Sequence, residues 1–554
     1  MSANDSHAAA SAHDFPLLIK QLLLTPLATS PGREIVYRDK VRHDYRVMRR
    51  RIGQLASVLQ SLGVKQGDTV AVMDWDSHRY LEAYFAIPMM GAVLMTTNVR
   101  LAPEQIAYTL NHSSTSVMLV NREFLPLLDA IRDHVPGITQ FVLIDDEHDN
   151  GESAGIPQGF AGEYEALLAA ASPDFDFPDF DERTRATTFY TTGTTGDPKG
   201  VYFSHRQLVL HTLALAGALG AAPVQGRVHR DDVYLPITPM FHVHAWGMPY
   251  LATMMGMKQV YPGRYVPDAL LQLLVREQCT FSHCVPTILH MILSSPAAAN
   301  VDLGKWKVII GGSALPKGLA RTALDRGIDI YTGYGMSETC PVLTLSQVRT
   351  EDLGDAEREL DIRTRTGLPV PLVDLRVVDE EMRDVPHDGS SQGEIVVRTP
   401  WLTQGYFKNP AASETLWAGG YLHTNDIGVI EPDGYLRITD RIKDVIKTGG
   451  EWVSSLQIED LISRHPAVAE VAVIGVPDPK WGERPLPLIV PKPGQSIDVD
   501  ALRVHLSGWV ERGELSRFAL PDRVLIVDAI AKTSVGKINK KLLRELHHGG
   551  IAHR

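Results

Sequence analysis

Apolar runs alternate with amphipathic stretches through the first part of the chain, up to about residue 340. Short apolar runs typical of buried strands occur at 68–75, 116–121, 140–145, 186–192 and 307–313. Between them lie stretches such as 45–63, whose apolar positions recur with the helical period. Alternation of this kind predicts α/β layers built on parallel sheets.

The pattern changes after Ser346, where shorter strands are separated by turn-rich segments. These strands are predicted at 373–379, 393–399 and 434–440, which indicates a small, mainly antiparallel subdomain. From Arg441 onward the pattern predicts a compact α+β domain. Its strands are predicted at 469–477, 485–490 and 523–528, and its helices at 499–512 and 538–547.

Two longer apolar stretches, 83–95 and 208–224, fall short of a membrane span. Proline and glycine interrupt the first, and histidine and proline the second, so both are predicted to be buried elements. The first fourteen residues lack Lys, Arg and an apolar run, which is not the pattern of a signal peptide and predicts a disordered tail.

Length, net charge and cysteine content limit the number of domains and the kinds of partner that the protein can have. The chain has 554 residues, which suggests roughly three or four structural units. Its formal net charge is −12, which argues against nucleic acid as a partner. The three cysteines, Cys279, Cys284 and Cys340, form no CxxC pair, so neither a disulfide framework nor a zinc site is expected and a reducing cytoplasm fits.

Residues 190–200, YTTGTTGDPKG, follow a predicted strand and form the loop that is richest in side chains able to bind a ligand. Its glycines let successive backbone N–H groups point into one concavity, and its hydroxyls and Lys199 add donors for an anion. It is not a Walker A loop, since Gly200 follows Lys199 where that motif needs Ser or Thr. The loop therefore predicts a phosphate site of another kind.

Three further segments carry reactive side chains. The segment 334–339, YGMSET, combines an aromatic ring, a carboxylate and hydroxyls, although alone it also fits a capped helix N-terminus. The segments 440–451, DRIKDVIKTGGE, and 533–540, TSVGKINK, are each equally consistent with solvated surface when taken alone.

Together, in this order and spacing, the loops resemble the adenylate-forming superfamily of acyl-CoA synthetases, peptide-synthetase adenylation domains and firefly-type luciferases. The resemblance runs from about residue 30 to 545 and includes PMFHVHAWG (239–247) and GGSALP (311–316). Within the superfamily, HVHAWG and GGEWVSS (449–455) resemble the fatty-acyl-CoA synthetase branch.

This resemblance implies a fold. Residues 15–440 would form a large N-terminal domain of two α/β subdomains and a small β-barrel-like subdomain. Residues 441–554 would form a mobile α+β C-terminal domain, hinged near Asp440. A homodimer is implied by the branch, in the cytoplasm or peripherally at a membrane.

It also implies a reaction. A carboxylic acid attacks ATP to give an acyl-adenylate and pyrophosphate, and the thiol of CoA then displaces AMP. A medium- or long-chain fatty acid is the leading substrate. Three alternatives stay open: a ligase for methylmercaptopropionate or an aryl acid, an acyl-AMP ligase that loads a carrier protein, and a non-catalytic nucleotide or acyl sensor.

The resemblance further implies roles for individual residues. The triphosphate would contact Thr191, Thr192, Gly193, Thr194, Thr195 and Lys199, which we call the triphosphate group. The adenine group would be Gly312, Ser313, Thr332, Tyr334 and Gly335, and the ribose group would be Asp426 and Arg441. The catalytic residues would be Lys537, Glu338, Thr339 and His242, and Mg²⁺ would bind Glu338 and Thr191. Trp246 would gate the acyl pocket, and Asp440 would be the hinge. CoA would bind Lys447, Gly449, Gly450 and Trp452.

Three positions qualify the resemblance. Ala531 stands where proline is usual before residues 533–540, which carry Lys537 and which we call the lysine loop, so that loop lacks one fixed φ. Asn425 stands where glycine is common, and little effect is expected. His283 is expected to be structural rather than a contact of the acyl chain.

Overall fold

The computed structural model describes residues 9, 11–146, 155–191, 197–222, 226–448, 451–512, 515–533 and 537–547, with the backbone alone at 451 and 452. Most of the predicted tail, 1–14, lies outside this set. So do four residues of the predicted triphosphate loop, Thr192, Gly193, Thr194 and Thr195, and two of the predicted CoA residues, Gly449 and Gly450.

The described residues form strands throughout the chain. In order these are β1 (Glu34–Tyr37), β2 (Val41–Asp44), β3 (Thr69–Met73), β4 (Val93–Thr96), β5 (Thr115–Asn121), β6 (Gln140–Ile144), β7 (Phe160–Glu163), β8 (Arg185–Tyr190), β9 (Gly200–Ser204), β10 (Val233–Pro236), β11 (Lys258–Tyr261), β12 (Phe281–Cys284), β13 (Lys307–Ile310), β14 (Asp329–Gly335), β15 (Val342–Leu345), β16 (Leu368–Pro369), β17 (Asp374–Val378), β18 (Gly393–Arg398), β19 (Leu422–Ile430), β20 (Leu436–Arg441), β21 (Ile446–Thr448), β22 (Glu451–Val453), β23 (Val468–Asp478), β24 (Gly482–Pro491) and β25 (Leu525–Ile526).

Helices alternate with these strands, as the apolar periodicity predicts. They are α1 (Leu24–Thr29), α2 (Tyr45–Ser61), α3 (His78–Met89), α4 (Pro103–His112), α5 (Leu125–Ile131), α6 (Tyr164–Ala170), α7 (His205–Gly220), α8 (Val243–Trp246), α9 (Met248–Met255), α10 (Pro267–Arg276), α11 (Pro286–Ser294), α12 (Lys317–Asp325), α13 (Ala356–Thr364), α14 (Pro410–Leu416), α15 (Ser455–Ser463), α16 (Val499–Glu511) and α17 (Lys540–His547).

Two large mixed sheets make up the N-terminal part. One has nine strands in the order β16-β15-β14-β13-β12-β10-β11-β1-β2, and the other has seven in the order β7-β6-β5-β3-β4-β8-β9. The interior neighbours pair in parallel, whereas β2, β9, β15 and β16 pair antiparallel. The prediction of two α/β subdomains is confirmed.

Helix α3 is the central element of this body, because all twelve of its residues are buried. It begins after Ser77, whose side chain accepts a hydrogen bond from the Tyr80 N–H at 3.1 Å. Two of its charged side chains are buried but paired: Arg51 contacts Glu82 at 2.6 Å, and Arg79 contacts a carboxylate of α6 at 2.7 Å. Pairing of this kind offsets the desolvation of the buried charges.

The third sheet is antiparallel, in the order β17-β18-β19-β20. In the described residues no pairing closes these four strands into a ring, so the subdomain is an open sheet rather than a barrel. The resemblance led us to expect a barrel-like shape, but sequence patterning alone gives strand direction and not closure.

The fourth sheet belongs to the C-terminal part and follows the order β22-β21-β24-β23, with β25 parallel to β24. Helices α15 and α16 pack on the core of this sheet. The chain leaves the third sheet at Arg441 and enters the fourth at Ile446. Among the described residues, no helix combines the length and apolarity needed to cross a lipid bilayer.

Candidate active site

The candidate side chains gather where parallel strands end. The segments that follow β10, β12, β13 and β14 leave the carboxyl edge of the nine-stranded sheet, and the triphosphate loop leaves β8 of the other sheet. Ligand sites of open α/β sheets lie at this edge because the loops after adjacent parallel strands meet there. The topology thus explains how segments up to 150 residues apart reach one site.

A reciprocal pair of hydrogen bonds closes the triphosphate loop. The Thr191 N–H donates to the Lys199 carbonyl at 2.9 Å, and the Lys199 N–H donates to Thr191 Oγ1 at 3.3 Å. The Lys199 ammonium lies 4.6 Å from the centroid of the Tyr406 ring, within the range of a cation–π contact. The ends of the loop are therefore held together, and its lysine has a fixed neighbour.

Glu338 is buried, with 6% of its surface exposed, and lies in the short helical turn after β14. The Tyr406 hydroxyl donates to Glu338 Oε1 at 2.7 Å, and no other described residue donates a hydrogen bond to Oε2. Burial raises the pKa of Glu338, which the Tyr406 hydrogen bond and the charges of Lys199 and Arg441 oppose. One carboxylate oxygen thus keeps the capacity to accept a further ligand.

Thr339 lies in the same turn as Glu338. Its hydroxyl accepts from the Met336 N–H at 3.0 Å and contacts the carbonyls of Met336 and Pro341, and the residue is fully buried. These contacts fix the turn that carries Glu338. The side chain is engaged within its own loop, and its catalytic role stays a prediction.

The predicted ribose group is assembled across an antiparallel strand pair. Asp426 of β19 lies directly opposite Arg441 of β20, and Arg441 Nε donates to Asp426 Oδ1 at 3.0 Å. The Tyr334 hydroxyl donates to Asp426 Oδ2 at 2.8 Å. Each carboxylate oxygen has two lone pairs, so both can still accept one further donor. Asp426 therefore retains the capacity to hold two ribose hydroxyls.

Asn425, beside this carboxylate, has a φ of 59°, which explains why glycine is common there. Asn tolerates the left-handed region better than most residues do.

The predicted adenine group lies on β14 and in the segment that follows β13. Gly312 has a φ of 80°, and Ser313 is exposed. Thr332 is buried and donates its hydroxyl to the Arg363 carbonyl at 3.0 Å. Gly335 cannot carry a side chain, because a Cβ there would lie 1.7 Å from the Pro341 carbonyl oxygen.

Lys537 reaches this cluster from the C-terminal part. A Cβ added at Gly312 would lie 3.2 Å from Lys537 Cε and 3.7 Å from Nζ. The lysine loop is closed by the same reciprocal pattern as the triphosphate loop: the Thr533 N–H donates to the Lys537 carbonyl at 2.6 Å, and the Lys537 N–H donates to Thr533 Oγ1 at 3.2 Å. The Asn539 N–H also donates to the Ala531 carbonyl at 2.8 Å, so the loop is closed without a proline at 531.

The charges around Lys537 come from three other segments of the chain. Burial lowers the pKa of Lys537 to about 8, and Arg441 acts in the same direction, whereas Asp426 and Glu338 favour the ammonium form. These three side chains are thus close enough to Lys537 to affect its charge. The structure therefore brings together Lys537, Glu338, Asp426 and Arg441.

Trp246 lies in an unusual backbone segment. Four consecutive non-glycine residues of α8 have positive φ values: Val243 47°, His244 53°, Ala245 46° and Trp246 59°. The turn is left-handed, a conformation that costs roughly 1–2 kcal/mol per residue for L-amino acids. Residues held in such regions cluster at functional sites.

The buried Trp246 indole covers the end of β13. A Cβ at Gly311 would lie 3.0 Å from Trp246 Cη2, and the indole lies 5.0 Å from the His283 ring, centroid to centroid. His283 is fully buried, and its Nε2 is 2.8 Å from the Tyr234 hydroxyl. His283 therefore packs against the Trp246 indole, which agrees with the expected structural role.

His242 precedes the left-handed turn and is half-buried. Burial lowers its pKa to about 3, and the charges of Lys537 and Arg100 contribute. The imidazole is consequently neutral at physiological pH. It is close enough to Lys537 for that charge to act on it, and no hydrogen bond from the residues that the structure describes fixes its ring.

The hinge and CoA predictions concern the C-terminal part. Asp440 Oδ2 accepts from the Ser455 N–H at 2.6 Å and from its hydroxyl at 2.8 Å, so the carboxylate is attached to the start of α15. Lys447 lies on β21 opposite residue 452 of β22, is exposed, and donates its N–H to Glu483 at 2.9 Å. The Trp452 side chain lies outside the described residues.

Tyr406 is the functional candidate that sequence patterns missed. It lies 68 residues after Glu338, outside the segments that carry the resemblance, and its neighbours GYF give no chemical signal. Only folding places its hydroxyl on the buried carboxylate.

Comparison with known proteins agrees with this architecture. Residues 25–407 match the family of AMP-binding enzymes, and residues 457–537 match the AMP-binding enzyme C-terminal domain. The match covers more than half of the chain, so the protein belongs to the AMP-binding enzyme family. The resemblance drawn from the sequence is confirmed.

Individual relatives extend over nearly the whole chain. A long-chain-fatty-acid–CoA ligase of Thermus thermophilus is 42% identical over 509 residues, covering 91% of this chain and 90% of its own. A 3-methylmercaptopropionyl-CoA ligase of Ruegeria pomeroyi is 37% identical over 499 residues, covering 89% of each. The crystal structure of ATP-bound MatB from Rhodopseudomonas palustris has a TM-score of 0.82 at 26% identity and covers 96% of this chain and 99% of its own.

Proposed function

We propose that this protein is an ATP-dependent carboxylic acid–CoA ligase that activates a medium- or long-chain fatty acid as acyl-AMP and transfers the acyl group to CoA. The observation that carries the proposal is the convergence of Lys537, Glu338, Asp426 and Arg441 at one sheet edge. The Thermus thermophilus relative, at 42% identity, supports the choice of acid.

The first half-reaction brings a carboxylate against the α-phosphate of ATP, so two negatively charged groups must approach. Lys537 would bridge them with its ammonium, and the loop from Thr191 to Lys199 would cradle the β- and γ-phosphates. Asp426 would accept the ribose hydroxyls, while Tyr334, Gly312 and neighbouring residues would enclose the adenine. Fixed charges aimed at the transition state are the expected source of rate enhancement.

A divalent cation fits the open oxygen of Glu338. Mg²⁺ binds through one or two carboxylates together with substrate phosphates and needs no larger protein cage. Glu338 would hold it, with the Thr191 hydroxyl on the same side. When bound, the cation would neutralise charge on the triphosphate and its pyrophosphate product.

The second half-reaction requires the thiol of CoA to reach the acyl carbon. Lys537 occupies the site in this arrangement, so the C-terminal part would have to rotate about Asp440 to remove it. That rotation would bring β21 and β22, with Lys447, Gly449, Gly450 and Trp452, toward the nucleotide. Motions of this kind complete many active sites in turn.

A pyrophosphate-release screen tests the proposal. Straight-chain acids from C2 to C18, aryl acids and methylthio acids would be supplied with ATP and Mg²⁺, with and without CoA. We expect the largest response from medium- or long-chain acids and complete turnover only with CoA. A response confined to methylthio acids would favour the activity named for the Ruegeria pomeroyi relative. Retained ATP binding with no pyrophosphate from any acid would identify a sensor.

The Trp246 indole is proposed to close the acyl pocket until ATP binds. Replacement by alanine uncovers Gly311, so Trp246→Ala should bind a fluorescent fatty-acid analogue without ATP, whereas the wild type should require ATP. Trp481→Ala is the control, since that side chain packs against Phe518 within the C-terminal part. Identical ATP requirements in all three proteins would contradict the gate.

The assembly and location are proposed from the branch that the sequence resembles. We propose a homodimer in the cytoplasm. Peripheral attachment to a membrane is the alternative location, and it would suit a substrate with a long acyl chain. Sedimentation of the purified protein and fractionation of cells test the two statements separately.

A further inference from the structure

Tyr406 lies between two charged groups of the proposed site. Its hydroxyl donates to Glu338 Oε1 at 2.7 Å, and its ring face lies 4.6 Å from the Lys199 ammonium. Glu338 follows β14 of one sheet, whereas Lys199 immediately precedes β9 of the other. Tyr406 is therefore a physical link between side chains that belong to different subdomains.

The backbone around Tyr406 is fixed to both of these subdomains. The Tyr406 backbone forms an antiparallel bridge with Val201, and the Phe407 N–H donates to the Gly200 carbonyl at 2.8 Å. On the other side, the Thr403 N–H donates to the Glu338 carbonyl at 3.0 Å. Residues 403–407 thus form a strap, which we call the 403–407 strap, between the end of the triphosphate loop and the turn of Glu338.

Packing leaves the strap little freedom. The Tyr406 N–H donates to Ser413 Oγ at 2.9 Å, and the Trp417 indole N–H donates to the Thr403 carbonyl at 3.1 Å. A Cβ at Gly405 would lie 2.6 Å from Ser413 Oγ, so the chain approaches α14 as closely as glycine allows. The position of the Tyr406 backbone is consequently fixed by the strap.

The phenol remains a donor at this position. A phenol carries its proton at neutral pH and an ionised carboxylate can only accept, so the Tyr406 hydroxyl is the donor to Glu338 Oε1. A hydrogen bond from a neutral donor to an ionised acceptor is stronger than one between neutral groups. Glu338 Oε1 is therefore occupied, which leaves Oε2 as the oxygen that would bind a cation.

We propose that Tyr406 is a positioning residue that holds Glu338 and Lys199 in register with each other, so that the cation-binding carboxylate and the phosphate-binding ammonium reach the same triphosphate. This inference rests on the proposed function and extends it to a residue outside the motifs. Tyr406 itself does not contact the reacting atoms.

Two variants separate the two contacts. Tyr406→Phe removes the hydroxyl and keeps the ring, whereas Tyr406→Leu removes both. Tyr202→Phe is the matched control, because this half-buried tyrosine lies on β9 close to the strap and its hydroxyl forms no hydrogen bond with the described residues.

The first measurement is the dissociation constant of Mn²⁺ in the presence of ATP, followed by electron paramagnetic resonance without any acid. We expect Tyr406→Phe to raise this dissociation constant about tenfold, because a hydrogen bond to a charged group is lost. Tyr406→Leu should raise it further, since Lys199 also loses its contact with the aromatic ring. Tyr202→Phe should match the wild type, and thermal melting should be unchanged in Tyr406→Phe.

Kinetics provide the second measurement. Tyr406→Phe should raise the Mg²⁺ concentration and the ATP KM needed for pyrophosphate release, with the KM for the acid unchanged. Mn²⁺ affinity and Mg²⁺ dependence equal to those of Tyr202→Phe would overturn the proposal, and equal losses in Tyr406→Phe and Tyr406→Leu would overturn its Lys199 part. Absence of pyrophosphate release from the wild type would instead refute the proposed function, because the Mn²⁺ measurement requires no acid.

Discussion

Replacement of Lys537 by alanine is expected to slow acyl-adenylate formation by roughly 10²–10³-fold, the loss typical of one charged or hydrogen-bonding group aimed at a transition state. Lys537 is the only part of the lysine loop that we place between the carboxylate and the α-phosphate. Thioester formation from supplied acyl-AMP should continue at close to the wild-type rate, because Lys537 has left the site in that step.

The two half-reactions can be measured apart. Pyrophosphate release with ATP and acid reports the first, and CoA consumption with synthetic acyl-AMP reports the second. Lys532→Ala is the control, since this lysine belongs to the same loop but pairs with Glu470 at 2.9 Å on the surface. Equal slowing of both half-reactions in Lys537→Ala would assign the lysine a different role.

The pKa of Lys537 gives this prediction a pH dependence. Burial and the charge of Arg441 lower that pKa to about 8 in the free protein. The ammonium is the active form, so kcat/KM for adenylation should decrease as the pH rises above about 8, which is where the free enzyme loses the proton. Lys537→Arg keeps its charge at higher pH, so its basic limb should move upward even if its maximum rate is lower.

Glu338→Gln is expected to have the second large effect, a decrease of roughly 10²–10³-fold in adenylation by the same reasoning about transition-state charge. The neutral amide cannot balance a divalent cation on the triphosphate. It can still accept the hydrogen bond from Tyr406, so the 403–407 strap should keep its position. The defect should appear as a loss of Mg²⁺ dependence rather than as unfolding.

The same substitution should stabilise the fold. Burial raises the pKa of Glu338 above its unfolded value, which means that the ionised carboxylate is disfavoured in the folded state at neutral pH. An uncharged isostere removes that penalty, so the free energy of unfolding at pH 7 should increase. Glu357→Gln, an exposed surface change, is the control for both measurements.

Urea unfolding and pyrophosphate release on the same samples would test the pair of effects. An activity loss with unchanged or greater stability is the pattern expected of a group retained for catalysis. Loss of stability in Glu338→Gln would show instead that the carboxylate holds the turn together, and normal Mg²⁺ dependence would place the cation elsewhere.

Several structural elements were predictable from local pattern. The apolar runs at 116–121 and 140–145 became β5 and β6, and the amphipathic stretch at 45–63 became α2. These elements are long or strongly periodic, so neighbouring residues suffice to specify them. The loop 190–200 was recognisable because glycines, hydroxyls and a lysine are concentrated within eleven residues.

Other features depend on contacts distant in sequence. The left-handed turn at Val243–Trp246 has no glycine before Gly247, so local propensity argues against it. The open third sheet depends on how strand edges meet, which residue periodicity does not encode. The role inferred for Tyr406 depends on its contact with Glu338, which lies 68 residues earlier in the chain.

The sequence by itself determined the alternation of strands and helices, the family and the positions of the charged loops. These properties are encoded in apolar periodicity and in motifs of a few residues. The tertiary structure decided which oxygen of Glu338 is open, what closes each lysine loop and which residue joins the two subdomains at the site. The first and the third depend on distances between residues far apart in the chain, which the packing of the sheets against α3 and the 403–407 strap fixes. The loop closures are local hydrogen bonds whose geometry residue patterns do not specify.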